Sequence, residues 1–274
     1  MGAESDIDRA VAALSQAGFA GPHACAIVTG TGLGLLAASL AERESLPYAA
    51  IPGFPKLGVS GHGGSLHRGR LGGRPVLVLE GRAHAYECGD AAAMRIPIGA
   101  VAALGADALV LTNASGSLMT EAGPGSLVML TDHLNLSGLN PLVGEASDAR
   151  FVPMTEAYDP ALRNRMREAA REAGLPLHEG IYAWFSGPSF ETPAEVRMAG
   201  RLGADLVGMS TVPEVILARF FGLRIVALSV VTNRAAGIGD GDPHHTETKA
   251  AAARAAADLT RLVTAFVERL GPQA

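Results

Sequence analysis

The feature that most constrains this chain is the alternation of short apolar runs with helical segments along its whole length. The first apolar run, residues 24–28, leads into a glycine-rich turn and a helical stretch, and the same order recurs down to an Ala-rich helix at residues 246–270. No linker, repeat or low-complexity run interrupts it. The pattern predicts a single α/β domain over residues 1–274, with a central mixed β-sheet flanked by helices.

The predicted elements place most of the loops of interest at strand ends. The predicted strands are residues 24–28, 75–79, 108–112, 127–133, 181–185, 206–209 and 224–231. The predicted helices are residues 35–42, 97–104, 160–173, 194–202, 213–221 and 246–270. In α/β sheets the ligand sits beyond the carboxyl ends of the strands, so we expect the loops that follow the strands to carry the function.

Charge and composition exclude several classes of protein. Lys and Arg total 22 against 27 Asp and Glu, a net charge of −5 with no basic block, which argues against a general nucleic-acid binder. Two cysteines, Cys25 and Cys88, cannot make a disulfide scaffold. The acidic N-terminus is unlike a signal peptide, and the apolar stretch at residues 96–111 is too broken to span a membrane. We expect a cytoplasmic protein, and a charged fraction of only 18% favours a surface partly covered by another subunit.

Two glycine-containing loops carry groups suited to an anion. Residues 30–34, Gly-Thr-Gly-Leu-Gly, offer backbone N–H groups and the Thr31 hydroxyl. Their spacing fits neither a dinucleotide loop nor a Walker loop, so a plain tight turn is an equal alternative. His62 lies between glycines, where it is suited to donating to a phosphate, although a surface turn is the simpler interpretation.

A third loop, residues 80–87, follows a predicted buried strand. If the segment is extended, alternation puts Arg82, His84 and Tyr86 on one side of it. A guanidinium grips phosphate bidentately, an imidazole adds a second donor, and a tyrosine supplies an aromatic wall. An exposed strand edge fits poorly with so many donors after an apolar run.

Four later strand ends carry small, aromatic or amide groups. Residues 112–117 are small enough for a ligand to approach the backbone. Phe190 and Glu191 offer a stacking face and a carboxylate, although a glutamate favourable to a helix N-terminus is an equal alternative. Ser210 either caps the next helix or contacts a ligand. Asn233 has the right amide to meet a heterocyclic base.

A cluster near the C-terminus invites a metal interpretation. It consists of Asp240, Asp242, His244 and His245. Its spacing fits no metal motif, and adjacent histidines cannot easily face one ion. We therefore expect no metal there, and one histidine acting as a hydrogen-bond donor is favoured.

Taken together, these motifs resemble those of the trimeric, 6-oxopurine-specific purine nucleoside phosphorylase family, over nearly the full length of the chain. The strongest stretches are GPSFETPAEVR at 187–197, GADLVGMSTVPEVILAR at 203–219 and TNR at 232–234. GHGG at 61–64, GRAHAYE at 81–87 and TDHLNL at 131–136 also match. Each motif alone is weak, but their joint occurrence in this order is highly specific.

The resemblance implies a role for each candidate residue. Phosphate would be held by Thr31, His62, Arg82, His84, the backbone at Ala114, and Ser210. The family often has serine where Thr31 stands, and the hydroxyl is kept. Ribose would lie against Tyr86, Met209 and Phe151 of a neighbouring subunit, with His245, or alternatively His244, at the 5′-hydroxyl. The purine would contact Phe190, Glu191, Val207 and Asn233. The groups implied in catalysis are Asn233, Glu191, His84 and His245.

The implied reaction is phosphorolysis of the N-glycosidic bond of (deoxy)inosine or (deoxy)guanosine in a homotrimer, with phosphate as co-substrate and no cofactor. A methylthioadenosine phosphorylase is the nearest rival, and that branch typically carries aspartate where Asn233 stands. A nucleoside-binding protein without catalysis is a second rival. A dinucleotide-dependent dehydrogenase fails on the spacing of the first glycine loop.

Overall fold

The strands of the chain assemble into one mixed sheet with helices on both faces. The computed structural model describes residues 3–59, 61–238 and 245–271, with side chains over 5–59, 61–238 and 250–271. The strands are β1 (Cys25–Val28), β2 (Ala41–Pro47), β3 (Ser65–Leu71), β4 (Arg74–Glu80), β5 (Ala108–Ser117), β6 (Leu127–Asn135), β7 (His178–Trp184), β8 (Leu206–Gly208) and β9 (Arg224–Arg234). The helices are α1 (Ala3–Gln16), α2 (Leu35–Ala38), α3 (Ala85–Cys88), α4 (Arg95–Ala103), α5 (Pro160–Glu172), α6 (Pro193–Arg201), α7 (Val212–Phe220) and α8 (His245–Glu268), with 3₁₀ turns at Tyr48–Ala50 and Asp148–Arg150.

The strand order is β2-β3-β4-β1-β5-β8-β7-β6-β9, and β9 also pairs with β5. Strand β1 runs parallel to both β4 and β5, whereas β3 runs antiparallel to its two neighbours, β2 and β4. The extra β5–β9 pairing closes β5, β8, β7, β6 and β9 into a ring. The sheet is therefore open on the β2 side and closed on the β9 side, with β5 as the shared strand.

One edge of β5 changes its partner along its length. It pairs with β1 at residues 109–111 and with β8 only at Gly116 and Ser117. Between these points, residues 112–115 pair with β9 on their other edge alone. The sheet thus splits beside residues 112–115, which is the kind of position where open α/β sheets bind ligands.

Two apolar clusters bury the two faces of the sheet. Along β1, Ala26 and Val28 belong to the cluster that contains α1, α4 and α7, whereas Cys25 and Ile27 belong to the cluster that contains α2, α5 and α8. This alternation is what a strand covered on both faces requires. Burial of these apolar side chains supplies the main favourable free energy of folding.

The predicted single-domain fold with a mixed sheet is confirmed, but several local predictions were wrong. The helix predicted at residues 35–42 ends at Ala38, and Ala41 already begins β2. That edge strand is mostly exposed and polar, with Glu44 paired to Arg68 of β3, so it lacks the apolar pattern of a buried strand. Strands β2 and β3 and helix α1 were not predicted.

Two segments predicted as loops are strand residues. Residues 112–117 lie within β5 and residues 232–234 within β9, and the two ends pair with each other after a bulge between Ser115 and Gly116. The sequence of these segments does not predict a strand, because most of their small residues have little intrinsic β preference. Tertiary pairing overrides that preference.

Part of the broken apolar stretch at residues 96–111 forms most of α4 and the start of β5. Among the described residues there is no helix with the length and apolar character needed to cross a membrane.

Candidate active site

A cavity opens at the split edge of β5. It encloses about 220 Å³, several times the roughly 30 Å³ that one water molecule occupies in the liquid, so it has room for a small-molecule ligand. Of the fourteen residues to which the sequence analysis gave a role, eleven line it: Thr31, Arg82, His84, Tyr86, Ala114, Phe190, Glu191, Val207, Met209, Ser210 and Asn233.

Arg82 is fixed in the interior by two hydrogen bonds. Its Nε donates to Oε1 of Glu214, in the first turn of α7, and its Nη1 donates to the Thr112 carbonyl at 2.8 Å. Its Nη2 is buried and has no partner within the described part of the chain. A buried guanidinium with one unused nitrogen beside a cavity is well suited to an anionic ligand.

The open edge of β5 also offers a backbone donor. The Thr112 carbonyl points to that edge, since Arg82 reaches it there. Residues two apart on a strand turn their N–H and C=O groups to the same edge. The N–H of Ala114 therefore faces the same opening, beside the unused nitrogen of Arg82.

His62 does not line the cavity but contacts a residue that does. Its Nε2 lies 3.0 Å from the Thr31 hydroxyl, and its Nδ1 lies 2.8 Å from the Arg82 carbonyl and 3.1 Å from the Arg82 N–H. Burial, with His84 and Arg82 nearby, lowers the pKa of His62 to about 4, so the ring is neutral at pH 7. The Nδ1 atom has a partner in either tautomer. In the tautomer in which Nδ1 accepts from the Arg82 N–H, the proton is on Nε2, which can donate it to Thr31 or to a ligand.

His84 is oriented by Glu87 in the next turn. Oε1 of Glu87 lies 3.0 Å from His84 Nδ1 and accepts from the His84 backbone N–H at 2.7 Å, while Oε2 accepts from the Gly58 N–H at 2.6 Å. Burial acts against ionisation of Glu87, but these hydrogen bonds outweigh it and lower its pKa to about 2. The imidazole is thereby turned so that Nε2 points away from Glu87.

Tyr86 reaches the cavity from a helical turn and not from an extended segment, so the predicted alternation was wrong. It stands on α3, and its ring stacks on His84 with centroids 4.8 Å apart. Opposite it is Met209. The loop that follows β7 passes between these two side chains at Gly187, whose φ is +69°. Glycine is required there, because a Cβ would lie 2.6 Å from the Met209 sulfur.

Ser210 is held by a chain of buried hydroxyl and amide groups. Ser229 donates to Asn113 Oδ1 at 2.6 Å, Asn113 donates to the Thr211 hydroxyl at 2.8 Å, and the Thr211 and Ser210 hydroxyls are 3.1 Å apart. Thr211 has φ of +73°, and the Val212 N–H donates to the Ser210 carbonyl, which makes a strained γ-turn. Strain of this kind is retained where the surroundings hold it, often at functional sites.

Glu191, Asn233 and Phe190 also line the cavity. Glu191 is largely buried, its Oε1 has no partner within the described residues, and burial is the main cause that raises its pKa. The Asn233 amide is oriented on both sides, because Oδ1 accepts from the Thr232 hydroxyl at 2.9 Å and Nδ2 donates to the Arg234 carbonyl at 2.8 Å. The cavity wall thus includes an unused acceptor, a positioned amide and the partly exposed Phe190 ring.

Two other predicted residues lie elsewhere. Phe151 follows the 3₁₀ turn Asp148–Arg150, and with 74% of its surface exposed it does not line the cavity of its own chain. His245 begins α8, but its side chain lies outside the described residues, as do those of Asp240, Asp242 and His244. No cluster of three metal-binding side chains occurs within the described residues.

Several supporting residues received no role from sequence. Glu87 could have been noticed as a carboxylate three positions after His84. Glu214 lies 132 residues from Arg82, and no local pattern connects them. Asn113 and Ser229 are brought together only by the pairing of β5 with β9.

Comparison with known proteins agrees with this geometry. Residues 24–268 match the family model described as the phosphorylase superfamily. The chain is 44% identical over 250 residues to the purine nucleoside phosphorylase of Mycobacterium tuberculosis, which covers 91% of this chain and 90% of that protein. It is 41% identical over 247 residues to purine nucleoside phosphorylase 1 of Geobacillus stearothermophilus, with 89% and 90% covered.

Solved structures share the whole fold. The Schistosoma mansoni purine nucleoside phosphorylase in complex with inosine superposes with a TM-score of 0.91 at 35% identity, over 98% of each chain. Schistosome purine nucleoside phosphorylase has also been solved with guanosine and with adenosine. The chain described here belongs to the phosphorylase superfamily and, within it, to the purine nucleoside phosphorylases.

Proposed function

We propose that this protein catalyses the reversible phosphorolysis of (deoxy)inosine and (deoxy)guanosine to the free purine and (deoxy)ribose 1-phosphate. The observation that carries the proposal is one cavity with two different unused groups. The buried Arg82 Nη2 and the buried Glu191 Oε1 belong to residues that both line it. We call the surroundings of Arg82 the anion end and the surroundings of Glu191 and Asn233 the base end. One suits an anion and the other suits an N–H donor of a base. The membership of the family described above supports the same reaction.

The anion end is suited to inorganic phosphate. Arg82 would supply a charged donor, Thr31, Ser210 and the N–H of Ala114 would supply neutral ones, and His84 would donate from Nε2. Charge-assisted hydrogen bonds from a guanidinium are the stronger kind, and neutral donors add direction. His62 would join them by donating from Nε2. Phosphate is then the co-substrate, and the reaction calls for no further cofactor.

The chemistry follows from where charge develops. As the C1′–N9 bond lengthens, the ribosyl group resembles an oxocarbenium ion, and the bound phosphate both stabilises that cation and attacks C1′. The purine leaves with the bonding electron pair, so negative charge grows on its ring. Asn233 would donate to N7, where that charge accumulates, and Glu191 would accept from N1–H of a 6-oxopurine.

The proposal places ribose between the two ends and extends to a trimer. Tyr86 and Met209 line the cavity and would contact the ribose. A 5′-hydroxyl would meet His245 or His244. The exposed Phe151, which does not line the cavity of its own chain, would close the ribose site of a neighbouring subunit in a homotrimer.

The nearest alternative is a methylthioadenosine phosphorylase. The asparagine at 233 disfavours it, because that branch typically carries an aspartate there, whose carboxylate is the stronger acceptor for a 6-amino group. A relative has been solved with adenosine, so binding alone does not separate the two activities. Turnover does, because a site with buried polar groups penalises a base that leaves them unpaired.

The deciding experiment measures base release from inosine, guanosine, adenosine and methylthioadenosine, each with and without phosphate. We expect phosphate-dependent release from the first two at rates far above those of the last two. Equal rates, or faster release from methylthioadenosine, would overturn the assignment. Nucleoside bound but left intact with phosphate present would instead identify a binding protein.

A further inference from the structure

Three residues that line the cavity carry a buried polar atom with no partner within the described part of the chain. They are Arg82 at Nη2, Glu191 at Oε1 and Ser115 at Oγ. Buried polar groups are normally hydrogen-bonded, so each unpaired one needs an explanation. The proposed function supplies partners for the first two, namely phosphate and the purine N1–H. It supplies none for the Ser115 hydroxyl.

Ser115 belongs to the base end of the cavity. It is 3% exposed and lies on β5 at the split edge, immediately before the bulge. The Thr232 hydroxyl is 3.2 Å from the Ser115 carbonyl and 2.9 Å from Asn233 Oδ1, so one side chain bridges the two residues. The Ser115 carbonyl and the Asn233 amide are therefore connected through a single hydroxyl, that of Thr232.

The next residue keeps this corner open. Gly116 pairs with Asn233 of β9 and with Val207 of β8. A Cβ on Gly116 would lie 3.2 Å from Val207 Cγ2 and 3.3 Å from Asn233 Nδ2. The strand therefore approaches the base end with almost no side-chain bulk, and Ser115 is the adjacent residue that brings a hydroxyl.

We propose that the Ser115 hydroxyl donates a hydrogen bond to the 6-oxygen of the bound purine, which makes Ser115 a further specificity-determining residue. This inference rests on the proposed function. On a 6-oxopurine the 6-oxygen lies between N1 and N7, the atoms assigned to Glu191 and Asn233. It is the one polar atom of that edge without an assigned partner, and among the described residues that line the cavity Ser115 carries the one hydroxyl with neither a partner nor a role.

The test compares ligands with and without the 6-oxygen. The ligands without it also lack the N1 proton, but both proteins keep Glu191, so the ratio of variant to wild type for each ligand isolates the contribution of Ser115. Ser115→Ala and the wild-type protein are titrated calorimetrically with hypoxanthine and with unsubstituted purine, and kcat/KM is measured for inosine and purine riboside. A neutral hydrogen bond predicts a loss of about three- to tenfold for hypoxanthine and inosine. The ligands without the 6-oxygen should change by less than about twofold.

A matched serine provides the control. Ser117 lies two residues further along β5 and is also buried, but its hydroxyl accepts from the Met119 N–H at 3.1 Å. Ser117→Ala should lower the melting temperature and leave the hypoxanthine-to-purine ratio unchanged. Ser115→Ala removes an unpaired hydroxyl, so without ligand its melting temperature should stay the same or rise.

The outcomes separate the inference from the proposed function. Equal losses for both ligand types, or no loss, would overturn the role of Ser115 while wild-type phosphorolysis of inosine still supports the function. A wild-type protein that neither cleaves inosine with phosphate nor binds hypoxanthine would overturn both. A clear fall in the melting temperature of unliganded Ser115→Ala would show that the hydroxyl is already paired in the empty site.

Discussion

The guanidinium of Arg82 and the carboxylate of Glu214 form an ion pair in the interior, with 1% and 3% of their side chains exposed. Glu214 lies in the first turn of α7, where a carboxylate is also favoured by the helix dipole. The pair leaves one nitrogen of Arg82 unused at the cavity. Without phosphate, Glu214 is therefore the group that balances the buried positive charge.

Glu214→Gln should make stability depend more strongly on phosphate. Removing one partner of a buried pair leaves an uncompensated charge, so the free energy of unfolding should fall by roughly 3 kcal/mol without phosphate. Phosphate would then replace the missing negative charge and raise the melting temperature of the variant more than that of the wild type. Thermal unfolding across a phosphate series, at constant ionic strength with chloride, measures both effects.

Glu44→Gln is the matched control, because its Arg68 partner is about one-third exposed and the pair lies at the surface. That substitution should cost no more than about 1 kcal/mol and leave the response to phosphate unchanged. An identical phosphate response in Glu214→Gln and wild type would contradict the idea that the two anions share Arg82.

Glu87→Gln should reduce the amount by which the free energy of unfolding falls between pH 6 and pH 2. Hydrogen bonds, acting against burial, lower the folded-state pKa of Glu87 to about 2. Because this lies below the unfolded value, the carboxylate stabilises the fold above its unfolded pKa of about 4.3, and the contribution disappears as the pH falls toward 2. Urea unfolding from pH 6 to pH 2 should show the wild type losing its advantage over the variant in that window. A constant difference across the window would refute the assignment.

Glu191→Gln should stabilise the empty protein and weaken the enzyme. Burial raises the folded-state pKa of Glu191, so its contribution to stability is present below the unfolded pKa and is lost as the pH rises through the folded one. Burial opposes ionisation of this carboxyl group, and the resulting cost grows as the pH rises, so glutamine, which cannot ionise, removes it. The variant should therefore unfold at a higher temperature than the wild type at pH 7, with a smaller difference near pH 4.

The same variant should lose roughly 10- to 100-fold in kcat/KM for inosine, the range for a hydrogen bond to a charged group. Glu195→Gln, on an exposed carboxylate in the first turn of α6, should give no stabilisation at pH 7, since its pKa is lowered by hydrogen bonds from Thr192. Unchanged turnover in Glu191→Gln would remove Glu191 from the base site.

Asn233→Asp should move activity toward 6-aminopurines. An asparagine can donate to N7 of a leaving 6-oxopurine, whereas a carboxylate accepts from a 6-amino group. The ratio of kcat/KM for adenosine to that for inosine should rise at least about tenfold, the effect of roughly 1.4 kcal/mol. Asn164→Asp on α5 makes the same chemical change far from the cavity and should leave the ratio unchanged. A ratio that stays constant in Asn233→Asp would exclude contact with the base.

Contacts between residues that are close in the chain could be predicted from the sequence, whereas contacts between distant residues could not. Arg82 and His84 share a motif, so their convergence followed from the local pattern, although Tyr86 joins them from a helical turn. The small, polar residues at the ends of β5 and β9 predict loops. These segments are strands because the two ends pair with each other. Glu214 could not be predicted, since it meets Arg82, 132 residues away, only when α7 packs against α4 and β9.

The Phe151 prediction can be tested by mixing two defective proteins. Phe151→Ala keeps an intact cavity but loses the side chain proposed to close a neighbour's ribose site, so its KM for inosine should rise several-fold or more. Arg82→Ala has a damaged cavity but an intact Phe151. If each cavity borrows Phe151 from a neighbour, mixed trimers formed by refolding the two together will contain Phe151→Ala cavities closed by Arg82→Ala subunits. The mixture should then show a component with the wild-type KM, which neither protein shows when refolded alone. Sedimentation of the mixture checks that trimers formed, and a KM equal to that of Phe151→Ala alone in such trimers would show that Phe151 does not act across subunits.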